Sequence, residues 1–314
     1  MKNNLMIKIN GLSDKISIKI VEKIQSIISD FSFLDFRRFN KIIITSHFDR
    51  DIEVLTTDKK SIFKNRYKTN SNTYALVLTI PKQDDYELVL VIRNDFIKNI
   101  LKNEDDSKYK EAFHILHHEL AHVHDNNKKI DSFYKFMRTS KYQGVDSIIY
   151  PLAQLCWSEY IANVISSNSA KNTKYPKLIA QSLMKSLETT NINIRTQLLA
   201  YKINKQREDL LQVSIKQIEH LLKQASYLLG YLDGLGLSLE ELDYESNYIL
   251  EVSYFKDIWE VMKYELNTMR EVYPNGFINL NIYKNLSFYI ESFFNQMGIV
   301  LVNNEKNKLI IKVM

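Results

Sequence analysis

The sequence predicts an α+β protein in which a small sheet-forming region precedes a mainly helical one. Residues 1–105 contain short apolar runs separated by turn residues, a pattern typical of strands. Residues 106–314 read largely as amphipathic helical segments, and the 314-residue chain has only seven glycines and four prolines, which favours long helices and short turns. The boundary near residues 103–107 separates two regions that could also form one continuous domain.

The elements of the first region follow from local patterns. An amphipathic helix is expected from Ser13 to Ser29, and a strand from Lys41 to Thr45. The apolar runs 74–80 and 86–92 flank the turn-forming segment Pro81-Lys-Gln-Asp-Asp85. This arrangement predicts a β-hairpin.

The second region should consist of helices and one closing hairpin. Helices are expected from Lys108 onward, over 147–167, over 205–231, and in further segments to about Gln296. Pro151 lies near the start of the second of these, where a helix tolerates proline best. The apolar runs 298–302 and 309–313 predict a final hairpin.

The motif of greatest chemical content is His118-Glu119-Leu120-Ala121-His122, an H-E-x-x-H sequence, in a segment that holds five of the seven histidines. On a helix, residues four apart lie one above the other, so His118 and His122 can bind one Zn²⁺. Glu119, one step round the helix, can act as general base on a metal-bound water. The sequence therefore predicts a catalytic zinc site on this helix.

The residues around the motif divide into two helical faces that point in opposite directions. The polar face comprises His114, His118, His122 and Asp125, and the apolar face comprises Phe113, Leu116, Leu120 and Val123. Such a helix fits the floor of a metal-binding cleft. The alternative is a surface helix whose histidines are solvated.

A catalytic zinc site needs a third protein ligand. A metzincin continuation would place glycine and histidine where this chain has Asp125 and Lys128, and no Gly-Thr-x-x-Asp segment of the aspzincin type follows. Glu159, 37 residues after His122 in the segment CWSEYIAN, lies in the predicted 147–167 helix. It is the candidate third ligand; the alternative is an ordinary surface glutamate.

HELAH followed by SEYIAN resembles the gluzincin zinc metallopeptidases, which include the thermolysin-like enzymes. The resemblance covers residues 113–163 and implies a zincin-like fold with His118, His122 and Glu159 as Zn²⁺ ligands and Glu119 as general base. Asn163 stands where the thermolysin-like branch has an aspartate that orients the first histidine. An amide oxygen can accept the same imidazole N–H, with less charge.

The resemblance also implies a histidine or tyrosine that stabilises the oxyanion of the reaction. His220 lies 61 residues after Glu159, and four side chains recur at helical spacing: His220, Gln224, Tyr227 and Tyr231. His220 and Tyr231 are the candidates, with Tyr227 left open; the alternative is ordinary packing. Three glycines nearby, Gly230, Gly234 and Gly236, predict a close helix approach or a helix end.

The resemblance further implies that an edge strand of the N-terminal sheet lies above the cleft and pairs with extended substrate backbone. The alternative is a hairpin that only contributes to the core.

Composition and charge narrow the classes of protein to which this chain can belong. Residues 1–20 lack a continuous apolar core and a small-residue cleavage site, so no export signal is expected. No run reaches about 18 apolar residues, so we expect no membrane span. The lone Cys156 suits a reducing cytoplasm and is expected to be a buried packing thiol. The net charge is +5 and the nearest basic tract, residues 64–68, reads as a solvated loop. Nucleic-acid binding is therefore not supported.

These features predict a cytoplasmic zinc metallopeptidase that acts on a protein or peptide substrate. Without an evident propeptide, a narrow, regulatory or defence-related specificity is expected. Two alternatives from other classes are a non-catalytic zinc-bearing binding or sensor module and a metal-free helical interaction protein. Hydrolysis of a non-peptide amide or ester is a further alternative within the enzyme class.

Overall fold

A computed structural model describes residues 5–57, 73–139 and 142–313. It is a mixed α+β structure, mostly helical, with a small N-terminal sheet. The predicted class is confirmed at this level. The basic tract 64–68 lies outside the described residues.

The chain divides into two compact units. The first comprises residues 1–134 and 168–173, and the second comprises residues 135–167 and 174–314. The expected boundary near residues 103–107 stays a prediction.

The first unit contains a four-stranded sheet in the order β1-β2-β4-β3. Its strands are β1 (Met6–Ile9), β2 (Phe39–Thr45), β3 (Ala75–Pro81) and β4 (Tyr86–Arg93). β2 runs parallel to β1 and β4, whereas β3 is antiparallel to β4 with Ala75 opposite Ile92. The hairpin predicted from the 74–92 segment is therefore confirmed. β4 is central and buried from Tyr86 to Ile92, which explains its continuous apolar run.

The helices of this unit pack apolar side chains around the sheet. The three short helices among them are α1 (Asp14–Asp30), α2 (Phe48–Thr57) and α3 (Asn94–Ile97), the last followed by a 3-10 turn at Lys98–Leu101. α1 confirms the helix predicted over residues 13–29 and buries Ile20, Ile24, Ile27 and Ile28. One core cluster joins Phe48 and Ile52 of α2 to Leu78, Val89 and Val91 of the sheet.

Two long helices carry the predicted metal ligands, α4 (Ser107–Thr139) and α5 (Asp146–Ala170). Most of α4 belongs to the first unit and most of α5 to the second. The second unit also contains α6 (Tyr175–Asn204), α7 (Arg207–Leu235), α8 (Leu239–Leu242), α9 (Tyr244–Glu251), α10 (Lys256–Val272) and α11 (Lys284–Gln296). The closing hairpin of β5 (Ile299–Asn303) and β6 (Leu309–Val313) is confirmed. None of the helices in the described ranges has the length and apolar character needed to cross a bilayer.

α5 and α7 approach each other at two glycines. A Cβ on Gly230 would lie 2.4 Å from the carbonyl oxygen of Tyr160 and 2.7 Å from Cβ of Asn163. A Cβ on Gly234 would lie 2.5 Å from Oγ of Ser167. Gly236 ends α7 with a left-handed φ of 66°. The close helix approach and the helix end predicted from these glycines are both confirmed.

The segment that precedes β2 is tied to α4 through the backbone of Asp35. Its N–H donates to Nδ1 of His124 at 2.8 Å, and its C=O accepts from Nδ2 of Asn127 at 2.8 Å. The Asp35 carboxylate accepts from the guanidinium of Arg37 and lies 3.0 Å from Nζ of Lys128. Burial alone would raise the pKa of Asp35, but the hydrogen bonds from Arg37 and Lys128 hold it well below its usual value.

We predict that Asp35→Asn lowers the free energy of unfolding by about 1–2 kcal/mol at neutral pH, because the amide loses the charge-assisted bonds. The folded-state pKa of Asp35 is depressed, so its contribution is present above the unfolded value near 4 and fades as the pH falls below it. Chemical unfolding of both proteins between pH 7 and pH 3 measures this convergence. Asp105→Asn, at an exposed site, is the control. A gap that stays constant with pH would contradict the assignment.

We predict that Gly230→Ala destabilises the chain by about 1–3 kcal/mol, because the new methyl meets backbone of α5 that cannot move aside. The measurement is the thermal unfolding midpoint followed by circular dichroism, with Lys216→Ala on an exposed position of α7 as control. Helix propensity alone predicts the opposite sign, a gain of about 0.5–1 kcal/mol. A higher midpoint for Gly230→Ala would therefore refute the close approach.

Candidate metal centre

The H-E-x-x-H motif lies in the middle of α4, on a part of the helix that is buried on both faces. Leu120 on the apolar face is fully buried, and His118 and Glu119 are only 6% and 8% exposed. His114, on the polar face, is 1% exposed. The alternative of a surface helix with solvated histidines is therefore wrong. On so deeply buried a stretch of helix, the imidazoles need hydrogen-bond partners.

His118 and His122 direct their ring nitrogens at each other. The two Nε2 atoms lie 3.0 Å apart, and the rings are perpendicular with centroids 4.6 Å apart. Two ligands at about 2.0–2.1 Å from a tetrahedral Zn²⁺ would be about 3.3 Å apart. The four-residue spacing has therefore produced a nitrogen pair of nearly the separation that zinc requires.

Three other histidines of α4 make hydrogen bonds that hold the helix in place: His114, His117 and, with the backbone of Asp35, His124. His114 and His117 both direct Nδ1 at Oγ of Ser169, at 2.9 and 3.0 Å. The His117 ring also stacks on Phe31, with centroids 3.8 Å apart. Burial, with a smaller effect of His118, lowers the pKa of His117 to about 4. His117 is therefore neutral at physiological pH, as is expected of an imidazole with a packing role.

Glu159 lies on α5 and is 6% exposed, so the alternative of a surface glutamate is wrong. Its Oε1 lies 3.0 Å from Nζ of Lys223 on α7. Burial disfavours the charged lysine, but Glu159 and then Tyr227 raise the pKa of Lys223 above its usual value. Glu159 and Lys223 thus form a buried carboxylate–ammonium pair.

The predicted ligand set is brought together. His118, His122 and Glu159 each offer one ligand atom, and these atoms all lie within 4.8 Å of one another. Two imidazole nitrogens and one carboxylate oxygen are the donor set found in many catalytic zinc sites. The donors are buried or half-buried, as a site that excludes bulk water requires. The residues present therefore fit a zinc ion.

The predicted oxyanion candidates occupy different environments on α7. The His220 side chain is exposed, whereas Tyr231 is 4% exposed and burial keeps its pKa well above the usual value. Asn163 donates from Nδ2 to the carbonyl of Tyr227 at 3.4 Å. The catalytic roles of His220 and Tyr231 stay predictions.

Cys156 and Lys223 are two further residues near Glu159. Cys156 is a free and fully buried thiol, as predicted, and burial raises its pKa to about 12. It is therefore protonated at neutral pH. Lys223 was not predicted from the sequence. The available signal was its position, three residues after His220 and four before Tyr227, on one side of an amphipathic helix.

Comparisons with known proteins find no matching family model, no matching curated protein and no matching solved structure. The function must be argued from the residues alone.

Proposed function

We propose that this chain is a zinc-dependent hydrolase of the zincin type, in which His118, His122 and Glu159 hold the metal. The observation that carries the proposal is the group of three donors whose ligand atoms all lie within 4.8 Å of one another. Within this group, the nitrogens of His118 and His122 face each other because of the four-residue spacing on one helix. The donor types favour Zn²⁺ over Mg²⁺ or Ca²⁺, which prefer oxygen ligands.

The chain's own residues supply the proton transfers. Zinc, when bound, supplies a Lewis acid that polarises a carbonyl and lowers the pKa of water. Glu119 follows the first ligand on α4 and is 8% exposed. Its carboxylate accepts the proton of the attacking water and then delivers that proton to the nitrogen of the leaving amine. His118 and His122 would each hold the metal through an unprotonated ring nitrogen.

The substrate proposed is a peptide bond in a protein or peptide, as the resemblance to gluzincins implies. β3 lies at one edge of the four-stranded sheet of the first unit. An edge strand of this kind has backbone groups on its outer side that can pair with an extended chain. A cytoplasmic location and a narrow, regulatory or defence-related specificity complete the proposal.

We predict about one zinc per chain in the wild type and a much lower content in Glu159→Gln, because the amide is neutral and a weak ligand. Elemental analysis of both proteins after identical purification and chelator washing measures this. The control is Glu240→Gln, at an exposed position of α8. A wild type that binds no zinc after reconstitution would support the metal-free interaction protein instead.

We predict that Glu119→Gln keeps its zinc and loses about 10²- to 10⁴-fold in turnover, because only the general base is removed. The measurement is cleavage of a quenched-fluorescence peptide library by zinc-loaded proteins. Full activity in the variant would contradict the mechanism. A zinc-loaded wild type that cleaves no member of peptide, ester or amide libraries would support a non-catalytic zinc module.

A further inference from the structure

The ammonium of Lys223 lies beside Glu159, one of the proposed metal ligands. Its Nζ lies 3.0 Å from Oε1 of Glu159, and the Glu159 side chain is only 8% exposed against 37% for Lys223. A carboxylate that is removed from water needs a positive partner, and losing that partner is strongly unfavourable. Lys223 supplies the compensating charge.

The position of Lys223 is set by helix packing. Gly230 and Gly234, two and three turns further along α7, bring the α7 backbone against Tyr160 and Ser167 of α5. The Lys223 ammonium also lies 5.3 Å from the centre of the Tyr227 ring, on the next turn of the same helix. The pairing with Glu159 therefore follows from a rigid helix–helix contact.

A divalent ion and an ammonium compete for the same carboxylate. When zinc takes an oxygen of Glu159, the lysine loses part of its attraction and its charge repels the ion. The side chain of Lys223 is partly exposed, so the ammonium can turn towards solvent at modest cost.

From this geometry we infer that Lys223 is a positioning residue that competes with the metal for Glu159. It holds the carboxylate in the metal-free chain and lowers the zinc affinity of the site, so that bound zinc is exchangeable. This inference rests on the proposed function, because it requires Glu159 to be a metal ligand. Its consequence is measurable without any substrate.

The test is the dissociation constant for Zn²⁺, measured by competition with a chromophoric chelator. We expect Lys223→Met to bind zinc about tenfold more tightly than the wild type, because the competing charge is gone. Lys223→Arg keeps the charge and should remain close to the wild type. Lys216→Met, which removes an exposed lysine of the same helix, should leave the constant unchanged.

A second measurement separates competition from simple charge compensation. Without zinc, Lys223→Met should unfold at a lower temperature than the wild type, because Glu159 keeps a buried charge without its ammonium. Saturating zinc should raise its unfolding temperature by more than it raises that of the wild type. If Lys223→Met does not fold, Lys223→Gln provides a neutral side chain that can still donate a hydrogen bond to Glu159.

The outcomes distinguish this inference from the proposed function. If Glu159→Gln weakens zinc binding while Lys223→Met and Lys223→Gln leave it unchanged or weaken it, the competition is refuted and the zinc site stands. If Glu159→Gln binds zinc as tightly as the wild type, both the ligand set and the inference are overturned. Tighter binding in both neutral variants of Lys223, but not in Lys223→Arg, supports the competition.

Discussion

A helix that is buried on both faces must find partners for most of the polar groups it carries, and α4 meets this requirement largely through its histidines. Five histidines lie within about three turns, of which His114, His117 and His118 are buried and His122 and His124 are half-buried. Two of them share the hydroxyl of Ser169, and His124 accepts from the backbone of Asp35. The motif histidines face each other. The polar groups around the motif thus anchor the helix, and the motif itself presents a pair of nitrogens.

Glu159 acquires its cationic partner through a different constraint, the absence of side chains at Gly230 and Gly234. Because these glycines let α7 contact the backbone of α5, Lys223 comes within ion-pair distance of the carboxylate. A structure with a larger residue at either position would separate the helices and leave the glutamate without its cation. The electrostatics of the carboxylate therefore depend on two residues that carry no charge.

Local patterns in the sequence predicted the elements whose signals are local. The 74–92 hairpin, α1, α5 and α7 were predictable because their apolar periodicity and turn residues lie within each segment. β1 and α2 were not predicted, because β1 has only four residues and α2 has ten, of which only Phe48 and Ile52 are buried. The parallel pairing of β2 with β4 joins segments over forty residues apart, which no local pattern encodes.

In the candidate site, too, features set within one segment were predictable and contacts between distant segments were not. His118 and His122 could be paired from their spacing, and Glu159 could be proposed from the resemblance. The ion pair of Glu159 with Lys223 depends on how two helices cross, which spacing within one helix cannot show. The burial of His118 and Glu159 likewise depends on what packs against each helix face, which the sequence of a single helix does not show.

The contact of Ser169 with the imidazoles of His114 and His117 has a consequence for which ring nitrogen carries a proton. A hydroxyl has one hydrogen, so Ser169 donates to at most one of the two Nδ1 atoms and accepts from at least one. Nε2 of His117 is buried and has no hydrogen-bond partner among the described residues. An orphaned lone pair is tolerated better there than an orphaned N–H. His117 therefore carries its proton on Nδ1 and donates to Ser169. The hydroxyl of Ser169 thus fixes the tautomer of His117.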